Sequence, residues 1–332
     1  MNASKVLYAY TNCSSGGMST VYRSRAVERP TTAFDLVFQH DKGGRSRFVD
    51  LDNVSLRVVD KGRLEAFLAY AVRNRRYDDV SITSLPEFAS SVAKSTNVPV
   101  HYEFHTSTVD VIQKELERLD LNAISGIRVP SAYLADMVMQ ELPVSSRGLV
   151  EVVPNDIDHE VFEPTGSTMR AHLGPKDLPL VWIGRFDRGK NYRDFLRLLS
   201  LLPKRFVGIV IVSLESDPSR MAEFLGDVGH YQVGNRVKVL MNLDQHAVAS
   251  IYRGAAIAGG AFVSTSLAES FGYGVVEAMA CGLSVFAYDA GALHEHTARE
   301  GDLSLFDLGD IDGMAQALVS RVDEKGQRNV GP

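Results

Sequence analysis

No apolar run in this chain reaches the roughly 20 residues needed to span a bilayer, and its first residues do not read as a signal peptide. The expectation is a cytoplasmic protein. Cysteine is scarce: Cys13 and Cys281 lie far apart and outside any metal-ligand cluster, so neither a disulfide nor a thiolate metal site is expected. An excess of charge is missing as well. Thirty-five lysines and arginines stand against 41 acids, a formal net charge of −6, which argues against nucleic acid as a partner. Internal repeats and low-complexity tracts are also absent, which excludes a solenoid or a disordered linker as the main architecture.

What remains is a globular chain of 332 residues with 45% hydrophobic and 23% charged side chains, long enough for two domains of about 150 residues each. Short β-rich runs alternate with helix-period segments: Val6–Tyr10, Phe34–Phe38, Val54–Val59, Val80–Thr83, Val98–Phe104 and Ile124–Val129 are the expected strands of a first round. Leu64, Phe67, Leu68, Ala71 and Val72 have the spacing of one buried helix face. Pro154 and Asn155 then break the pattern, and a second round follows at Leu180–Ile183, Phe206–Val212, Arg236–Leu240, Ala261–Val263 and Leu283–Ala287. Such alternation implies parallel sheets covered by helices. The expected organisation is a first domain over 1–153, a linker region over 154–178 and a second domain over 179–332.

The most informative stretch is Ser264-Thr-Ser-Leu-Ala-Glu269-Ser-Phe-Gly-Tyr-Gly-Val-Val-Glu277-Ala-Met-Ala-Cys-Gly282, with two carboxylates eight positions apart around a glycine-rich turn. Glu277 sits among Val275, Val276, Ala278, Met279 and Ala280, where an ionised group is costly to bury unless something polar meets it. Ligand hydroxyls would do that. Gly272 and Gly274 let backbone approach a ligand closely, and the N–H groups of a new helix favour an anion, so the pattern suggests a sugar nucleotide. A plain structural account of the same residues exists: a helix capped by Gly274 with Glu277 as its third residue, and Glu269 as a solvated loop acid. A second cluster, Gly184-Arg-Phe-Asp-Arg-Gly-Lys190, puts cations on a turn between strand and helix. Lys190 opposes the dipole at a helix start and therefore needs an anion.

Glu269 to Gly282 resembles the E-x₇-E signature of family 4 retaining glycosyltransferases, in spacing, glycines and the Glu-Ala-Met-Ala-Cys-Gly helix together. The likeness extends to Val153-Pro-Asn-Asp-Ile-Asp158 with Val161-Phe162, and to Gly184-Arg185 and Lys190. More loosely it reaches Gly16-Gly17 and Val129-Pro-Ser131. Asp156 departs from it, standing where the family usually has glycine. The resemblance implies the GT-B fold, two Rossmann-like α/β domains facing across a cleft. It also implies transfer of a hexose-type sugar from a nucleotide-sugar donor, UDP- or GDP-linked, to a hydroxyl of a saccharide, lipid-linked or small-molecule acceptor.

Roles follow from the same resemblance. Arg185 and Lys190 would hold the donor diphosphate, Glu277 the ribose hydroxyls, and Glu269 a hydroxyl of the hexose. Backbone N–H groups of Ser270, Phe271, Gly272 and Tyr273 would meet sugar and phosphate, and Gly16 and Gly17 would line the donor from the first domain. His105, which ends the strand-like Pro99–His105 run, would lie beside the transferred sugar, with His101 as its alternative. The leaving phosphate takes the acceptor's proton in this mechanism, so no protein nucleophile is implied and Glu269 is not a glycosidase-type nucleophile. No cofactor or metal is expected, since no D-x-D pair or histidine cluster stands where it would bind one; His294 and His296 would point to different faces of a helix.

Two further readings complete the expectations. Residues 41–76 carry nine basic against five acidic side chains, a local surplus that is more often a solvated face but also suits peripheral contact with anionic lipid or an acidic acceptor. A non-catalytic sugar-nucleotide sensor, or an epimerase, on the same fold would share every donor contact named above.

Overall fold

The computed structural model describes residues 4–14, 16–171, 173–212, 219–299 and 301–328. The chain divides into two compact units, Met1–Asp158 and His159–Pro332.

The first unit is built on seven parallel strands: β1 (Lys5–Cys13), β2 (Ala33–Asp41), β3 (Val54–Val58), β4 (Asp79–Thr83), β5 (Val100–Glu103), β6 (Gly126–Val129) and β7 (Val150–Val152). Their order across the sheet is β3-β2-β1-β4-β5-β6-β7. The crossovers carry α1 (Gly17–Glu28), α2 (Lys61–Asn74), α3 (Pro86–Ala93), α4 (Val109–Leu116) and α5 (Ala132–Glu141). Continuous apolar runs such as Val6–Ala9 are buried because helices cover a parallel sheet on both faces. On α2 the expected stripe is realised, with Leu64, Leu68, Ala71 and Val72 buried and Phe67 packed half-buried against the core; Asp60 caps its start by accepting from the Gly62 N–H at 2.9 Å.

The basic stretch 41–76 is not one uniform solvated face. Arg75 turns inward to Asp35 at 2.9 Å, Arg47 donates to Thr20 Oγ1 at 3.2 Å, and Arg45 pairs with Asp41 at 2.6 Å. Asp156, the departure from the family turn, does not have a positive φ, so the position makes no demand that only glycine meets.

The second unit has β8 (Leu178–Ile183), β9 (Phe206–Val212), β10 (Val237–Met241), β11 (Ala261–Ser264), β12 (Ser284–Tyr288) and β13 (Leu303–Phe306), all parallel in the order β10-β9-β8-β11-β12-β13. Its helices are α6 (Tyr192–Leu201), α7 (Ser219–His230), α8 (Gln245–Ile257), α9 (Tyr273–Ala280) and α10 (Ile311–Arg328). β13 was not expected from sequence: it is four half-buried residues at the sheet edge, paired to β12 alone and too short to show a period. The segment entering this unit is held by Arg253 on α8. Its guanidinium, 6% exposed, donates to the carbonyls of Val161 (3.1 Å), Glu163 (3.3 Å) and Ser167 (2.8 Å). Among the described residues no helix is long and apolar enough to cross a membrane.

Candidate active site

In the second sheet β8 and β11 are neighbours, yet the chain leaves β8 toward β9 on one side and continues beyond β11 to β12 on the other. Ligands of open parallel sheets bind outside the carboxyl ends of the strands at such a switch point. The two segments that leave these ends are 184–190 and 265–272, the two clusters singled out from sequence.

The first of them is anchored by Phe186, which is 4% exposed and stacks on Phe224 at 4.3 Å and on Trp182 at 6.2 Å. Burying that ring turns Arg185 outward, where it is 62% exposed and pairs with Asp187 at 2.8 Å. Asp187 shapes the turn by accepting also from the Lys190 N–H at 3.0 Å. Burial pushes the Asp187 carboxyl up, but the Lys190 backbone N–H and the Arg185 charge outweigh it and leave its pKa below the ordinary value.

The second segment is stitched to the first. Trp182 Nε1–H donates to Thr265 Oγ1 at 3.1 Å, Thr265 Oγ1 donates to the Asn191 carbonyl at 2.9 Å, and the Leu267 N–H reaches the Gly189 carbonyl at 2.8 Å. Across this seam Lys190 Nζ lies 2.5 Å from Glu269 Oε1, both side chains mostly buried. Sequence reasoning gave the lysine and the glutamate to different parts of a ligand; folding makes them partners. The anion that Lys190 needs beside a helix start is supplied by Glu269.

Both helices that open here begin without a capping side chain. Asn191 precedes α6 at φ +50°, and Gly272 precedes α9 at φ +88°. α9 therefore starts at Tyr273, not after Gly274, which makes Glu277 its fifth residue. That lies beyond the first turn, where the helix dipole acts most strongly, so the account of Glu277 as a residue held by the dipole alone fails. Glu277 is 7% exposed, among Val275, Val276, Ala278 and Met279, all buried. The two glycines answer to the protein's own packing. A Cβ on Gly272 would lie 2.2 Å from Leu293 Cδ2, and one on Gly274 would lie 2.7 Å from Ile183 Cγ2.

The comparisons bear on this half of the chain most directly. Residues 178–324 match the family model described as glycosyl transferases group 1. Over that stretch the chain is similar to this family, and its relatives support a glycosyltransferase of the family 4 type. It is 28% identical over 254 residues to a phosphatidyl-myo-inositol mannosyltransferase of Mycolicibacterium smegmatis, covering 72% of this chain and 60% of that protein. To the sucrose synthase of Nitrosomonas europaea it is 29% identical over 202 residues, 55% of this chain and 25% of that enzyme. The chain thus spans between a quarter and three fifths of the length of these relatives. The Anabaena HepE structure, solved with UDP and glucose, superposes with a TM-score of 0.81 at 17% identity, covering 97% of this chain and 90% of that one. The fold is GT-B.

Gly16 precedes α1 with a negative φ, and a Cβ on Gly17 would meet nothing within 4 Å, so packing does not demand glycine at 17. His105 lies just past the carboxyl end of β5, with Nε2 2.7 Å from Glu103 Oε2. His101 lies near the amino end of the same strand, where its Nδ1 is 2.8 Å from Asp79 Oδ1 and Arg128 pairs with both Asp79 and Glu151. Of the two histidines, His105 is the one at the ligand-binding end of the sheet.

His296 is the residue that sequence reasoning weighed only as a metal ligand. It ends a 3₁₀ turn over Gly291–His296, is 4% exposed, and places Nε2 2.5 Å from the Phe271 carbonyl with its ring edge-on to Phe271. The same turn donates the Ala292 N–H to the Glu269 carbonyl at 2.9 Å. Residues 291–296 thus buttress the glycine loop from behind. No sequence signal marks them, because the contact spans 25 residues.

Burial pushes the His296 imidazolium pKa below 6.5 and Arg299 adds to this, while the Phe271 carbonyl, Glu295 and Glu269 oppose it. A folded value below the unfolded one gives stability that is present above about pH 6.5 and lost as pH falls through the folded value. The melting temperature is therefore expected to fall on acidification from about pH 7.5 to about pH 5.5, and to fall less in His296→Gln, which can still donate to Phe271 without taking up a proton. Equal falls in both proteins would count against the assignment.

Proposed function

We propose that the chain is a retaining glycosyltransferase that moves a hexose-type sugar from a nucleotide-sugar donor to a hydroxyl of a saccharide, lipid-linked or small-molecule acceptor. The observation that carries this reading is the Lys190–Glu269 pair at the switch point of the second sheet, beside two uncapped helix starts. A donor diphosphate suits Lys190 and Arg185 as cations and the N–H groups of Ser270 to Tyr273 as donors, all of which favour negative charge. A sugar hydroxyl suits Glu269, and the vicinal hydroxyls of a ribose suit Glu277.

In the reaction so read, the bond between the anomeric carbon and the diphosphate breaks while the acceptor oxygen approaches the same face. Lys190, Arg185 and the loop amides meet the charge that grows on the leaving group, and the acceptor proton passes to the departing phosphate. His105 is assigned to the transferred sugar. No metal is given a part.

UDP is the first nucleotide to test, since the Anabaena HepE structure was solved with it. A thermal-shift series with UDP, GDP, ADP and their sugars is expected to show stabilisation by one base. At a hundredfold excess over its dissociation constant a ligand contributes about 2.7 kcal/mol. Absence of a shift with every nucleotide would sink the donor-site assignment. With the donor in hand, the anomeric configuration of the product, read by proton NMR, tests retention, and stabilisation without turnover of any sugar would point to a sensor.

A further inference from the structure

We infer that Glu103 is a positioning residue for His105: it holds the ring's Nε2–H and so fixes the tautomer and orientation in which the ring meets the transferred sugar. This rests on the reading of His105 as a substrate contact.

Glu103 ends β5 and is 0% exposed, an unusual place for a carboxylate. Its partners account for both oxygens. Oε1 accepts from Arg25 Nη1 at 2.8 Å and from Ser81 Oγ, and Oε2 lies 3.0 Å from Arg25 Nη1 and 2.7 Å from His105 Nε2. Burial pushes its carboxyl pKa up, but the Arg25 charge and the His105 hydrogen bond outweigh this and hold it well below the ordinary range. An ionised carboxylate only accepts, so the hydrogen between the two groups is carried by His105 Nε2.

Stability gives a weak reason for this arrangement. Arg25 is 8% exposed, and a buried ion pair of this kind is often no more stable than well-packed apolar residues of the same volume. What a buried carboxylate does that an apolar side chain cannot is choose the tautomer and hold the ring in one orientation. Placement supports the same view. Arg25 projects from α1, the helix that follows Gly16 and Gly17 at the end of β1, and Ser81 comes from β4, the strand next to β1 in the sheet order. Two of the three partners of Glu103 thus come from the elements that flank the switch point of the first sheet. The other histidine–carboxylate pair of this sheet, His101 with Asp79, is at the opposite end of the strands and has no such placement.

Glu103→Gln tests the inference because it keeps the shape, still accepts from Arg25, and presents an N–H to His105 in place of an oxygen. The ring must then accept at Nε2 and carry its proton on Nδ1, the opposite tautomer. The kcat of transfer is expected to fall about 10-fold or more, the cost of losing one oriented hydrogen bond to the transferred sugar. In a His105→Ala background the same substitution is expected to change kcat less than about threefold. Imidazole nitrogen NMR should report Nε2–H for His105 in the parent and Nδ1–H in the variant. If Glu103→Gln does not fold, Glu103→Asp, which keeps the charge for Arg25 but withdraws from His105, takes its place with the same expected background dependence.

An equal loss in both backgrounds, or no loss in the parent, would overturn the inference and leave the role of His105 standing. Full activity of His105→Ala would overturn the role of His105 and the inference together.

Discussion

Lys190→Ala is expected to lower kcat/KM for sugar transfer about 10²- to 10³-fold, the cost of removing one preorganised charge from a developing leaving-group anion. The fold should survive, because the turn that carries Lys190 is held by other atoms. Phe186 is buried on Phe224, Asp187 accepts from the Lys190 backbone N–H rather than from its side chain, and Leu267 N–H bonds to Gly189. Glu269 loses its partner in this variant and would be left half-desolvated. Glu269→Ala is accordingly expected to cost activity by itself, and the double variant Lys190→Ala/Glu269→Ala to cost less than the product of the two single losses. Initial rates of nucleotide release for the three proteins, with circular dichroism as the check on folding, measure this. Strict additivity would mean that the 2.5 Å pair has no bearing on catalysis.

Glu277→Ala is expected to weaken binding of the donor nucleotide about 10- to 100-fold, the loss of charge-assisted hydrogen bonds worth roughly 1.5–3 kcal/mol to a pair of hydroxyls. The effect should fall on nucleotides that keep both ribose hydroxyls and be nearly absent for the 2′-deoxy analogue, which already lacks one. Titration calorimetry with UDP and 2′-deoxy-UDP separates these cases. Equal weakening for both would assign Glu277 to the packing of α9, where its neighbours Val275, Val276 and Ala278 are buried, and not to the ribose.

Much of the second unit was legible in the sequence because its signals are local. The turn Gly184–Lys190 and the stretch from Glu269 to Gly282 are each contiguous, and each leaves a strand whose apolar run is plain. Helix starts were harder to place. The plain structural account caps α9 with Gly274, yet the left-handed residue is Gly272, and Gly274 instead fills a close approach to Ile183 and Phe262. A glycine is permissive in either role, and only its surroundings reveal which it plays. β13 was missed for want of length, and His296 because its partner, the Phe271 carbonyl, is a backbone atom that leaves no trace in side-chain spacing.

The first unit shows the same division between local and distant information. His105 and His101 are two positions apart on one alternating run, and sequence alone left both open. Strand direction separates them: β5 ends at Glu103, so His105 falls at the carboxyl end and His101 at the amino end. Glu103 itself carried no signal, since a carboxylate at the end of a strand reads as exposed until Arg25 and Ser81 close around it.

The sequence by itself determined that this is a two-domain α/β protein of the GT-B type, with two carboxylates spaced around a glycine-rich turn in its second half. Apolar periodicity and contiguous glycine and carboxylate spacing are properties of neighbours along the chain. Only the tertiary structure decided which charged groups meet: Lys190 with Glu269 across 79 residues, and Arg25 with Glu103 across 78. Burial makes those pairings matter, because a desolvated charge must find its partner wherever the sheet order brings one, and sheet order is not written at any single position.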